Sequence, residues 1–150
     1  MTDFPSPGTP DMFAPRYAEL ASFMRAPLAT TLDSLDIALL GIPYDGALTN
    51  RPGARHGPRE VRNASSMMRA INHATRVNPY ELCRVADVGD VRFGSVFDIE
   101  KSHADIRQFV EMLVGAGVVP LACGGDHSVT LPILRAVANA PLGLIHIDAH

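Results

Sequence analysis

Val118-Val119-Pro120-Leu121-Ala122-Cys123-Gly124-Gly125-Asp126-His127-Ser128, followed by Leu142-Gly143-Leu144-Ile145-His146-Ile147-Asp148-Ala149-His150, decides how the rest of the chain is read. Each stretch is a short, unbroken apolar run ending in glycine or in polar, ligand-type side chains. Runs of five or six apolar residues suit strands covered on both faces, as in a parallel sheet. Thr130 to Ala138 between them reads as a helix, so the unit is strand, helix, strand, and a right-handed crossover sets the two strands side by side, pointing the same way. Ligands of such sheets bind beyond the carboxyl ends of the strands. The loops carrying His127 and Asp148 are therefore expected to be neighbours.

The same alternation extends towards the amino terminus. Ile37-Ala38-Leu39-Leu40-Gly41 is another buried-strand run, and the Gly/Pro loop from Gly41 to Gly57 ends at Pro58, which suits a first helical position because its missing N–H would be unpaired there. Val61, Ala64, Met67, Met68 and Ile71 recur at helical spacing and predict one buried stripe, leaving Arg59, Arg62 and Arg69 to other surroundings. Leu82 to Asp90 reads as a strand entering an acidic, glycine-containing turn. Asp98 is a cap for a helix bearing Ile99, Ile106, Phe109, Val110 and Leu113, which Gly115 and Gly117 stop. Residues 1–34, punctuated by Pro5, Pro7, Pro10, Pro15 and Pro27, form an arm with one short helix over Tyr17 to Met24. Residues 35–150 form the α/β unit.

Composition narrows the function. Thirteen basic against 16 acidic residues give a net charge of −3, which lacks the basic excess of general nucleic-acid or anionic-membrane binding. No window is apolar for the length a membrane helix needs, and the start has no secretory pattern, so a cytoplasmic protein is expected. Two cysteines, Cys83 and Cys123, are too few for a disulfide framework; both are expected reduced, with Cys123 in the core.

The chemistry sits at the two strand ends. Alternation along a strand puts His146, Asp148 and His150 on one face, and the paired glycines let the backbone turn sharply enough to present His127. Imidazoles with a carboxylate suit a divalent first-row metal such as Mn²⁺. Such a metal makes hydroxide available near neutral pH, alone or in a pair, so hydrolysis is the natural reaction. By spacing alone all four residues stay open as ligands, and the glycines could equally serve an anion at the following helix. A full GxGxxG is absent, which leaves a dinucleotide site without support.

These motifs resemble a known family. GGDHS at Gly124 to Ser128 and HIDAH at His146 to His150 are similar to the arginase and agmatinase superfamily of manganese ureohydrolases. So are GIPYDGALTNRPGARHGPREVR at Gly41 to Arg62, DVGD at Asp87 to Asp90, and the arm segment Ala14 to Pro27, which resembles the agmatinase branch. The resemblance implies a three-layer α/β/α fold with a mainly parallel sheet, of which this chain is the N-terminal half. It implies that His127 and His150 each bind one of two manganese ions per subunit and that Asp148 bridges both. Asp126 and His146 are then residues that orient or back the ligands. The remaining ligands, the catalytic histidine and the guanidinium-binding acid are expected beyond residue 150, since the chain stops inside a metal motif.

The implied reaction is hydrolysis of a guanidinium group to urea and an amine, in a homo-oligomer whose partners are small guanidino substrates, with no nucleic acid or membrane. Arg51, Arg55, Arg59, Arg62, Arg69 and Arg76 are six of the 13 basic residues and could favour a carboxylate-tailed substrate or serve salt bridges. TNRPGARHGPREVRNASS most resembles the guanidino-acid hydrolases, 3-guanidinopropionate or 4-guanidinobutyrate being the substrates. The alternatives are agmatinase, or a non-catalytic α/β module if the chain ends at His150.

Overall fold

The computed structural model describes residues 15–149. The first 14 residues of the expected arm, and His150, lie outside the described residues. Three parallel strands form the sheet: β1 (Ile37–Ile42), β2 (Val85–Asp90) and β3 (Val119–Gly124), in the order β2-β1-β3. The central strand is the most apolar, and its Ala38, Leu39, Leu40 and Ile42 are all buried.

Alternation along β1 builds a layer on each face. Ala38, Leu40 and Ile42 pack with Ile106, Val110 and Leu113 of α3 (Ile99–Gly115) and with Val129 and Ala136 at α4 (Thr130–Val137). Leu39 faces the other way, onto Phe23 and Ala26, beside α1 (Gly57–Ser65). The short α2 (Pro79–Leu82) leads into β2. Asp98 caps α3 as expected, accepting from the Glu100 and Lys101 amides at 3.1 and 3.2 Å. Gly117, at φ +76°, lets the chain turn from α3 to β3.

The two ladders of β1 differ. Pairing with β3 is unbroken from Ile37↔Val119 to Ile42↔Gly124, whereas pairing with β2 slips between Leu39↔Asp87 and Gly41↔Asp90. The slip brings the Asp90 carboxylate against Gly41. A Cβ there would fall on that carboxylate and 2.8 Å from Pro58, so glycine is what lets α1 and the end of β2 meet.

Four expectations fail, each for a local reason. Residues 142–147 form no strand; Ile145 and Ile147 are 92% and 93% exposed. A strand is held by its ladder, and no neighbouring strand pairs with this stretch among the described residues. The stripe Val61, Met67, Met68 and Ile71 is exposed, because α1 stops at Ser65 and turns Arg62 inward to the carboxylates at the end of β2. Tyr17 to Met24 is not a helix: only a 3-10 turn at Phe23–Arg25 forms, with Met24 and Arg25 at φ 53° and 59°. Left-handed residues end a right-handed helix. Cys123 is half-buried rather than core, and that burial raises its thiol pKa.

Candidate metal centre

The site is built where β3 ends. Gly125 holds φ +53°, and a Cβ there would meet the backbone carbonyl of Tyr44 and lie 2.6 Å from that of Ile42. The loops after β1 and β3 therefore touch through backbone, and the Asp126 amide donates to the Tyr44 carbonyl at 2.8 Å. Gly125→Ala should destabilise the protein by about 3 kcal/mol, combining left-handed strain with overpacking against groups that cannot rotate away. Chemical denaturation checks this, and an unchanged midpoint would show that the two loops can separate.

Asp126 is buried and has every oxygen engaged. Its Oδ1 accepts from the Ser128 amide at 2.9 Å and the Ser128 hydroxyl at 2.5 Å, and its Oδ2 accepts from the Ala47 amide at 2.9 Å. These bonds cap the 3-10 turn His127–Val129 that leads into α4 and so fix where the His127 backbone sits. From α3, His103 Nε2 lies 3.3 Å from the Ser128 hydroxyl, its ring edge-on to Tyr44.

His127, His146 and Asp148 come together on the surface. One donor atom from each lies within 4.8 Å of the other two. His127 Nδ1 and His146 Nε2 stand 3.5 and 3.6 Å from the same Asp148 oxygen, Oδ2, and the two rings are 5.0 Å apart. Such separations are those of donors placed about 2.1 Å from one shared cation. Two imidazole nitrogens and a carboxylate oxygen form a donor set that fits a divalent first-row metal. The structure brings together three of the four residues singled out by spacing, His127, His146 and Asp148; the fourth, His150, lies outside the described residues.

Other groups at the strand ends escaped sequence reasoning. Asp45, buried in the loop after β1, accepts from the Gly53 and Arg55 amides at 2.7 and 3.2 Å and pairs with the Arg55 guanidinium, whose Nε lies at 2.5 Å. Asp87 and Asp90 hold Arg62: Nε and Nη2 donate to Asp87 at 2.8 and 2.9 Å, and Nη1 to Asp90 at 2.6 Å. Burial works against the Arg62 charge, but the bonds to Asp87 and then Asp90 outweigh it and raise its pKa. The available signal for both pairs was an aspartate at a strand end or in the loop after it, because a buried carboxylate requires a partner and the arginines of 51–62 are the nearby cations.

The Arg55 side chain, opposed by desolvation and aided by the two amides, holds the Asp45 carboxyl at about 2, below the ordinary 3.8. The unfolded chain therefore binds this proton more readily than the folded one. The pair's contribution is fully present above about pH 4 and is lost as pH falls from there through about 2. Asp45→Asn should flatten that part of the acid-unfolding curve followed by circular dichroism; a slope equal to wild type would assign the acid transition to other carboxylates.

Comparison with known proteins completes the description. The model of the Arginase family matches residues 35–150. A guanidinopropionase of Pseudomonas aeruginosa is 50% identical over 137 residues, covering 91% of this chain and 43% of that protein. The crystal structure of a hypothetical agmatinase from Burkholderia thailandensis superposes with a TM-score of 0.85 at 35% identity, over 91% of this chain and 44% of that one. A Trypanosoma cruzi formiminoglutamase with Mn²⁺ gives 0.61 at 26% identity, over 73% and 38%. The chain thus spans roughly two fifths of the length of these proteins.

Proposed function

The chain belongs to the arginase family, and from that premise we propose that the complete protein hydrolyses the guanidinium group of a linear guanidino acid, 3-guanidinopropionate or 4-guanidinobutyrate, to urea and an amine. The observation that carries this reading is the 50% identity to a protein named guanidinopropionase. The cluster of His127, His146 and Asp148 beyond the strand ends supports it chemically. Agmatine is the competing substrate, favoured by the likeness to a hypothetical agmatinase.

In this reading His127, Asp148 and His150 hold two Mn²⁺ ions together with residues beyond His150, and His146 backs Asp148. Mn²⁺ accords with the donor set and with the ion in the formiminoglutamase. Bound at this site, the ions supply hydroxide near neutral pH and offset charge that develops at the guanidinium carbon. The chain's own contribution is placement. Asp126 fixes the turn that presents His127, Gly125 brings that turn against the loop after β1, and Asp45 with Arg55 closes this loop. Arg55 is committed to Asp45, so a carboxylate tail is read by groups other than Arg55. Homo-oligomerisation completes the proposal.

Urea release by the manganese-loaded complete protein, measured with guanidinopropionate, guanidinobutyrate, agmatine and arginine, tests the reading. Fastest turnover of one of the two carboxylate-tailed substrates is expected. Preference for agmatine would replace the guanidino acid, and no release from any of the four would remove the activity.

A further inference from the structure

A groove of about 1160 Å³ is lined by residues that precede β1 and begin β2, including Leu35, Arg84 and Val85, and by none of His127, His146 and Asp148. The metal cluster lies beyond the carboxyl end of β3, whereas this groove lies at the amino ends of β1 and β2. Its apolar wall includes Met68, Ile71 and Tyr80, the first two of them about half exposed. Five arginines also line it, Arg16, Arg25, Arg69, Arg76 and Arg84, with no aspartate or glutamate among the lining residues.

Those charges are mostly unanswered. Arg84 pairs with Asp36 at 2.8 Å and Arg16 donates to the Met67 carbonyl at 3.1 Å. Arg25, Arg69 and Arg76 have no ion pair or side-chain hydrogen bond among the described residues. Two of these three are also strained: Arg25 and Arg76 hold φ of 59° and 60°, a backbone state that disfavours any side chain. Guanidinium groups without an ionic partner are available to an anion, and the apolar wall beside them can cover a non-polar group.

The groove is also not where the sheet grows. The outer edge of β2 is closed by residues Pro27 to Ala29, through the Pro27 carbonyl and Ala29 amide bonds to Asp87 at 2.8 and 2.9 Å. Among the described residues the open edge belongs to β3, on the far side of β1.

We propose that this groove binds a soluble amphiphilic anion, a carboxylate or phosphate group carried on an apolar body, at a site separate from the metal centre. Charge complementarity selects the head group, and the half-exposed Met68 and Ile71 select the body.

Calorimetric titration of the complete, manganese-loaded protein with octyl phosphate, octylammonium and inorganic phosphate tests this. Octyl phosphate should bind, inorganic phosphate more weakly, and octylammonium not at all. Arg76→Gly removes a charge and the strain of its left-handed backbone together. It should weaken octyl phosphate binding about tenfold, the worth of one charge-assisted bond, while Tm holds or rises and urea release is unchanged. Arg69→Ser should weaken binding likewise with Tm unaffected. Equal binding of octyl phosphate and octylammonium would reduce the groove to a greasy surface, and unchanged affinity in both variants would place the anion elsewhere. Absent octyl phosphate binding, with a lower oligomer mass for the variants by light scattering, would make the groove a contact between copies. Each of these three results overturns the proposal.

Discussion

His127→Ala in the complete protein should abolish urea release, by more than about a hundredfold, and lower the bound manganese measured by elemental analysis, with the far-ultraviolet spectrum retained. The side chain is half exposed, and its ring nitrogen faces the Asp148 carboxylate across 3.5 Å, so little packing is lost with it. The turn that carries it is held by Asp126, whose bonds run to Ser128 and Ala47 and not to the imidazole. Structure and function therefore separate at this residue. Loss of a metal ligand exceeds the ten- to hundredfold typical of residues that only support ligands. Asp148→Ala should behave alike. His146→Asn is the informative contrast, because the geometry puts its ring beside the other two while the family resemblance assigns the ligand role to His150. Manganese retained in that variant, with a modest fall in rate, matches the proposed backing role; full metal loss would make His146 a ligand. Unchanged urea release in His127→Ala would sink the metal assignment.

Arg62→Met should destabilise the fold by about 3–5 kcal/mol, the cost of leaving a buried charge without its partner. Asp87 is 1% exposed, and its carboxylate also accepts from the Phe23 and Gly89 amides at 2.9 Å. Methionine fills the volume over the Phe23 ring, where the guanidinium carbon now stands 4.0 Å from the centroid, but supplies no charge. One arginine thus joins α1, the end of β2 and the turn bearing Phe23. Urea denaturation measures the effect. A loss under about 1 kcal/mol would mean that Asp87 is stabilised by its backbone donors alone, and Asp87→Asn paired with Arg62→Met would then show no coupling.

What the sequence made legible follows from which forces are local. The strands β1 to β3 and helices α3 and α4 were readable because unbroken apolar runs, a capping Asp98 and stopping glycines act within a few residues. The closeness of His127 and Asp148 was anticipated from two parallel strand ends, but only His127 follows a strand, since the stretch leading to Asp148 forms none. Two features depended on distant partners. Arg62 points inward only because Asp87 and Asp90 wait 25 and 28 residues away, so a helical wheel of α1 picked the wrong face. Residues 142–147 have the apolar content of a strand, but content does not supply a ladder. The position of His103 against Ser128 likewise depends on how α3 lies across the sheet, which no spacing encodes.

The unpaired margin of β3 has a meaning for the protein's history in solution. Val119 and Leu121 are more than half exposed there, and the strand's outer amides and carbonyls run beside no partner among the described residues. An apolar edge of this kind is a template on which any extended chain can crystallise into β-structure, including another copy of itself. During synthesis, these residues emerge before whatever follows them. The interval until that edge is covered is the stage at which crowding and delay would divert the nascent chain into aggregates, and the speed of covering it, more than the strength of the finished core, would set the yield of native protein.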